Sequence, residues 1–174
     1  MTDSADEFLI RNLYLLLASG PTLRCMQLTV GVPDATTEAP ERDPDQFQIH
    51  VIYTDPEETK AALARAEHLS SGLDTRLSLI LTPIVPFPLS LDAPPAPVEF
   101  FLDRIRSISA SIERDVVSYI YFCRDPLPMI KSALRPHSLL VIGARSRWFL
   151  SRSRRLARAL RRCGHDVVVT PQVE

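Results

Sequence analysis

Glycine is scarce in this chain, with five residues in 174 against fifteen prolines. A backbone that approaches an anion closely leans on glycine, so a glycine-rich phosphate cradle has little material to start from. The prolines cannot donate to a sheet ladder or sit inside a helix, and their clusters mark where elements stop. Cysteine is also sparse. Cys25, Cys123 and Cys163 are odd in number and lack CxxC spacing, which fits reduced thiols in a cytosol and not a disulfide framework. His50, His68, His137 and His165 form no HxxxH or HExxH pair, so no metal centre is implied. No apolar run approaches the ~20 residues that cross a bilayer. The nearest, residues 8–18, is interrupted by Arg11 and Asn12 and followed by no small-residue cleavage pattern. A cytoplasmic location without a membrane span is therefore expected.

Catalytic constellations are missing as well. There is no GxSxG, no Walker loop, no informative Cys/His spacing and no pair of carboxylates with a cleft position. A non-enzymatic role is expected. Ser151, Ser153 and Asp125 suggest phosphoryl acceptors only weakly, because serines beside arginines at a helix start are more often caps.

What is present is ordinary for one globular domain: 45% hydrophobic and 24% charged residues argue against disorder over most of the length. The net charge of −1 hides an asymmetry. Residues 1–50 carry eight acids against three arginines, whereas residues 145–162 carry eight arginines and no acid. Such a distribution means either a polyanion partner or two parts of one chain packing together.

Along the chain, residues 1–46 read as an N-terminal extension. Ser4 and Glu7 form a capping box and Gly20-Pro21 a stop, so residues 4–19 are expected as a helix, apolar around nearly its whole circumference. Residues 24–31 suit a strand, and an acidic, proline-bearing loop over 33–45 follows. From residue 47 to 174 the pattern is regular. A strand ends at Asp55-Pro56, and a helix with Ala62, Leu63, Ala66 and Leu69 as its buried stripe runs to Gly72. Residues 76–82 form a second strand, and the proline-rich stretch 84–97 a long surface loop. A helix over 98–114, a strand over 116–123, a short helix over 127–134 and a strand over 138–142 come next. A basic helix from about Trp148 to Cys163 and a strand over 166–170 close the chain. This alternation predicts an α/β fold, a doubly wound five-stranded parallel sheet with helices on both faces, plus the N-terminal helix. Ligands of such sheets bind beyond the carboxyl ends of the strands, where strand order reverses.

Over residues 47–171 these features together resemble the universal stress protein family, with its adenine nucleotide hydrolase-like, Rossmann-like fold. The resemblance rests on the strand ending in Asp55 before EETKAALARA, the long loop after strand two, CRDPLPMIKSAL, LLVIGAR and the closing CGHDVVVTP. It implies a stress-response role, a homodimer paired through the last strand and, in members that bind ATP, a G-x-x-G-x9-G-S/T motif. The resemblance places Asp55 at the adenine end and Gly143 at the first glycine. Ser146 then stands where the second glycine should be, the loop is about three residues short, and the last pair falls at Ser153-Arg154. ATP is therefore expected to bind weakly or not at all, with Arg145, Arg147, Arg152 and Arg154 as alternative side-chain contacts to phosphate. Asp55 reads equally well as a helix-initiating residue.

Three readings of function follow: a non-catalytic dimeric module acting through a protein partner or a weak ligand, an adenine-nucleotide-binding protein with slow hydrolysis, or a nucleic-acid-associated protein. The third would use the last helix, where Ser151, Arg154, Arg155, Arg158, Arg161 and Arg162 line one face and Phe149, Ser153, Leu156, Leu160 and Cys163 the other. A solvated basic face, partly neutralised by the acidic N-terminal third, is the expected outcome, and the lack of aromatics interleaving the stripe argues against single-strand binding in particular.

Overall fold

Five β-branched runs of the regular part of the chain meet in one parallel sheet, and two segments of the N-terminal extension lengthen it. The computed structural model describes residues 11–14, 24–30, 47–145 and 151–171. Its strands are β1 (Arg11–Tyr14), β2 (Arg24–Val30), β3 (Phe47–Ile52), β4 (Thr75–Leu81), β5 (Val116–Phe122), β6 (Leu139–Ala144) and β7 (Asp166–Pro171). Its helices are α1 (Pro56–Leu69), α2 (Val98–Ser109), α3 (Pro126–Ala133) and α4 (Arg152–Arg162). The strand order is β1-β2-β5-β4-β3-β6-β7. From β5 to β7 every neighbouring pair is parallel, which is the expected doubly wound α/β sheet.

Alternation along the strands sends side chains to two cores. Ile49 and Val51 of β3 join Leu77, Leu79, Ile120 and Phe122 beneath α1 and α2, through Ala62, Leu63, Ala66, Ile105 and Ile108. Ile52, Ile80, Leu140 and Ile142 pack on the other side with Ile130 of α3 and Ala157 and Leu160 of α4. A sheet covered on both faces needs strands apolar on both faces, which is how these runs read.

The N-terminal extension differs from expectation. Arg11–Tyr14 is a strand, not part of a helix, and it pairs antiparallel with β2; β2 in turn runs antiparallel along β5 from Arg24 opposite Phe122 to Val30 opposite Val116. An apolar stretch broken only by Arg11 and Asn12 fits a helix or a strand by pattern alone, and the ladder offered by β2 supplies backbone hydrogen bonds that decide for the strand. The remainder of the expected 4–19 helix and the acidic loop over 33–45 lie outside the described residues. A second boundary also moves: α4 begins at Arg152, because Ser151 is its N-cap, with an extended ψ of 150° and an Oγ that accepts the Arg154 N–H.

The long loop after β4 is tied to the sheet. Ile84 and Cys123 form an isolated parallel bridge. Arg124 donates from Nη1 to the Val85 carbonyl at 2.5 Å and from Nη2 to the Leu89 carbonyl at 2.6 Å. Its guanidinium lies 4.1 Å from the centroid of the Phe87 ring, a cation–π contact that leaves the ring 80% exposed.

Candidate functional site at the switch point

Strand order reverses between β3 and β6, so the crevice where such sheets bind ligands lies beyond Ile52 and Ala144. The start of α1 closes against β6 there. A Cβ built on Gly143 would lie 1.9 Å from the Glu58 carbonyl oxygen and 2.4 Å from its carbon, so this position requires glycine for helix–strand approach whatever else it does.

That approach places the Glu58 side chain, 5% exposed, in the crevice. Oε2 accepts the hydroxyl protons of Thr54 and Ser153, each at 2.8 Å. Oε1 accepts the Arg145 backbone N–H at 3.1 Å. Thr54 lies just past β3, Arg145 just past β6 and Ser153 in the first turn of α4, so one carboxylate joins three elements. A buried carboxylate left without partners would be costly; three donors, and a place in the first turn of a helix, offset that cost. Thr59 completes the corner, its Oγ1 donating to the Asp55 carbonyl at 2.6 Å.

Of the residues singled out from sequence, Gly143, Ser153 and the Arg145 backbone meet around Glu58. Asp55 is the N-cap of α1, its Oδ1 accepting the Glu57 N–H at 3.2 Å. Arg154 donates its backbone N–H to Ser151 Oγ at 3.3 Å, and the Arg145 side chain is exposed. Ser146 lies outside the described residues. Glu58 itself was not expected. In the first turn beside Glu57 it fits an acid favoured by the helix dipole, although its spacing of four and eight from Ala62 and Ala66 puts it on the buried stripe.

Elsewhere, titratable groups are perturbed by burial. His50 on β3 has Nδ1 2.5 Å from Ser78 Oγ, and its pKa is lowered to about 4 by desolvation and then by the nearby His165. His165 is lowered by desolvation, then by His137 and Lys131, with Asp166 opposing. Burial followed by the charge of Asp125 raises the Cys123 thiol to about 11, which keeps it protonated and a poor nucleophile. Among the described residues no group of three His, Cys, Asp or Glu could hold a metal ion, and no helix is long and apolar enough to cross a membrane.

On α4 the buried residues are Ser153, Ala157 and Leu160, and Arg152, Arg155, Arg158, Arg161 and Arg162 are exposed. Arg161 is committed within the chain. Asp166 donates its N–H to the Ser138 carbonyl, so alternation turns the backbone groups of Val167 to the outer side of β7. There the Val167 carbonyl accepts Arg161 Nη2 at 2.6 Å and Nε at 3.2 Å.

Comparison with protein-family models, curated proteins and solved structures gives no match to this chain.

Proposed function

We propose that this chain is a non-catalytic binding module of universal stress protein-like design, acting in a stress response through a protein partner and not through nucleotide turnover. The observation that carries this reading is the commitment of the switch-point donors to Glu58. A polyphosphate entering the crevice would meet a buried carboxylate where it needs donors, and like charges at close range in a low dielectric repel. Calorimetric titration of the purified protein with ATP and Mg²⁺ tests the proposal. No saturable heat and no phosphate release are expected; a micromolar dissociation constant would overturn it in favour of an adenine-nucleotide-binding protein with slow hydrolysis.

The module is proposed to be cytoplasmic and homodimeric, pairing through β7, whose outer side has no strand partner among the described residues. Pairing there uses Val169 and requires Arg161 to release the Val167 carbonyl. A monomeric mass at micromolar concentration in sedimentation would rule it out. The exposed arginines of α4 support a second reading, nucleic-acid association. A gel shift that weakens steeply with salt, and is lost when Arg155, Arg158 and Arg162 are changed together to Gln, would favour it over the first.

A further inference from the structure

We propose that the switch point is an anion site filled from within: the Glu58 carboxylate occupies it, and a small exogenous anion of carboxylate or phosphate chemistry takes its place once that side chain is removed. The inference rests on the same site as the proposed function but on a separate property of it.

Three donors from separate elements converge on one buried point. They are a hydroxyl past β3 (Thr54), a backbone N–H past β6 (Arg145) and a hydroxyl in the first turn of α4 (Ser153). Backbone and hydroxyl donors gathered at a strand end beside a helix start are the components from which oxyanion sites are made. Here the anion is supplied in cis. The absence of a side chain at Gly143 lets the first turn of α1 come down onto β6, and from there Glu58 reaches all three donors. Truncating Glu58 leaves the donors in place, facing a space the size of the lost carboxylate. An orphaned, preorganised donor set prefers an anion to water because charge-assisted bonds are the stronger ones. Thr54 is half-buried and Arg145 exposed, so the site borders solvent.

The test compares wild-type protein with Glu58→Ala in thermal melts run in sodium chloride, acetate, formate and phosphate at equal ionic strength. The wild type reports the general salt effect of each anion, which raises melting temperatures without any site. Beyond that shift, the E58A protein should be stabilised by acetate, formate or phosphate by a further ~3–6 °C when the anion is tenfold above its dissociation constant. Acetate and formate report a carboxylate-shaped site, and a response confined to phosphate reports a wider one; either supports the proposal. Adding Ser153→Ala should reduce the shift by at least half. Should E58A fail to fold in chloride, refolding yield becomes the readout, with recovery in one of the three anions expected. Shifts of E58A in the three anions no larger than those of the wild type, or no recovery of folding in any of them, overturn the proposal. Binding of ATP by the wild type would refute the function proposed above and leave this comparison intact.

Discussion

Two sets of buried polar groups in this molecule have opposite accounts. At the switch point the Glu58 carboxylate has a donor for each oxygen and a second for Oε2, so its acceptors are matched from within the fold. Around the histidines the neutral state is built in: His50 is hydrogen-bonded to Ser78, while the buried Nδ1 of His165 has no hydrogen-bond partner. One region is held by an acceptor whose donors are all supplied, the other tolerates its histidines only while they stay uncharged. Both are burial effects, and the difference lies in how many donors or acceptors each site provides.

Breaking the matched site should cost most. Glu58→Ala takes the acceptor from the Arg145 N–H and the Ser153 hydroxyl and leaves Thr54 Oγ1 with only its 3.4 Å bond to the Gly143 carbonyl, so a loss of about 3–5 kcal/mol in urea-determined stability is expected. Glu57→Ala, one position away and exposed, should stay within about 0.5 kcal/mol of wild type and serves as the control.

Acidification should break the histidine region by itself. Because the folded pKa of His50 lies below its unfolded value of 6.5, at about 4, the unfolded chain binds more protons between those limits. Stability is complete above pH 6.5 and falls as pH drops towards 4, by about 3 kcal/mol for His50 alone; His165 is shifted in the same direction and adds to the loss. Urea melts across that window measure it, and a His50→Gln protein should show a flatter profile. An equal slope in the two proteins would remove His50 from the account.

Gly143→Ala sharpens the comparison by pushing on the α1 backbone without changing any side chain of the network. Its Cβ would overlap the Glu58 carbonyl, and a loss of about 2–3 kcal/mol is expected from overpacking and the displaced carboxylate. A neutral result would mean that α1 does not sit where the network needs it. The smallest effect belongs to Arg161→Ala, which removes the cap on Val167 at the sheet edge. It should cost about 1 kcal/mol and raise the dimer fraction in sedimentation, because an outward carbonyl is freed for pairing.

Much of the sheet was legible because its signals are local and redundant. The run into Asp55-Pro56, the acids after it and the Ala/Leu stripe agree on strand, cap and helix, and the structure has Asp55 as N-cap and Pro56 at the first helical position. The extension was not legible in the same way. Its apolar run has no period that separates helix from strand, and only the ladder between Arg11–Tyr14 and β2 decides it. The switch point was half legible. Topology located it, and Gly143 and Ser153 were singled out for a ligand, but the partner they meet is 85 or more positions earlier in the chain. Contacts at that separation leave no trace in spacing. The one local sign was an acid four residues ahead of Ala62 on the apolar stripe, and it reads equally well as a first-turn acid favoured by the helix dipole.

The most direct test of the central claim is a double-mutant cycle on Glu58 and Ser153, comparing urea stabilities of E58A, S153A, the pair together and the wild type. A carboxylate that holds the first turn of α4 through the 2.8 Å bond predicts a coupling of about 1–3 kcal/mol between the two sites. Additive losses, with coupling within about 0.3 kcal/mol of zero, would contradict it.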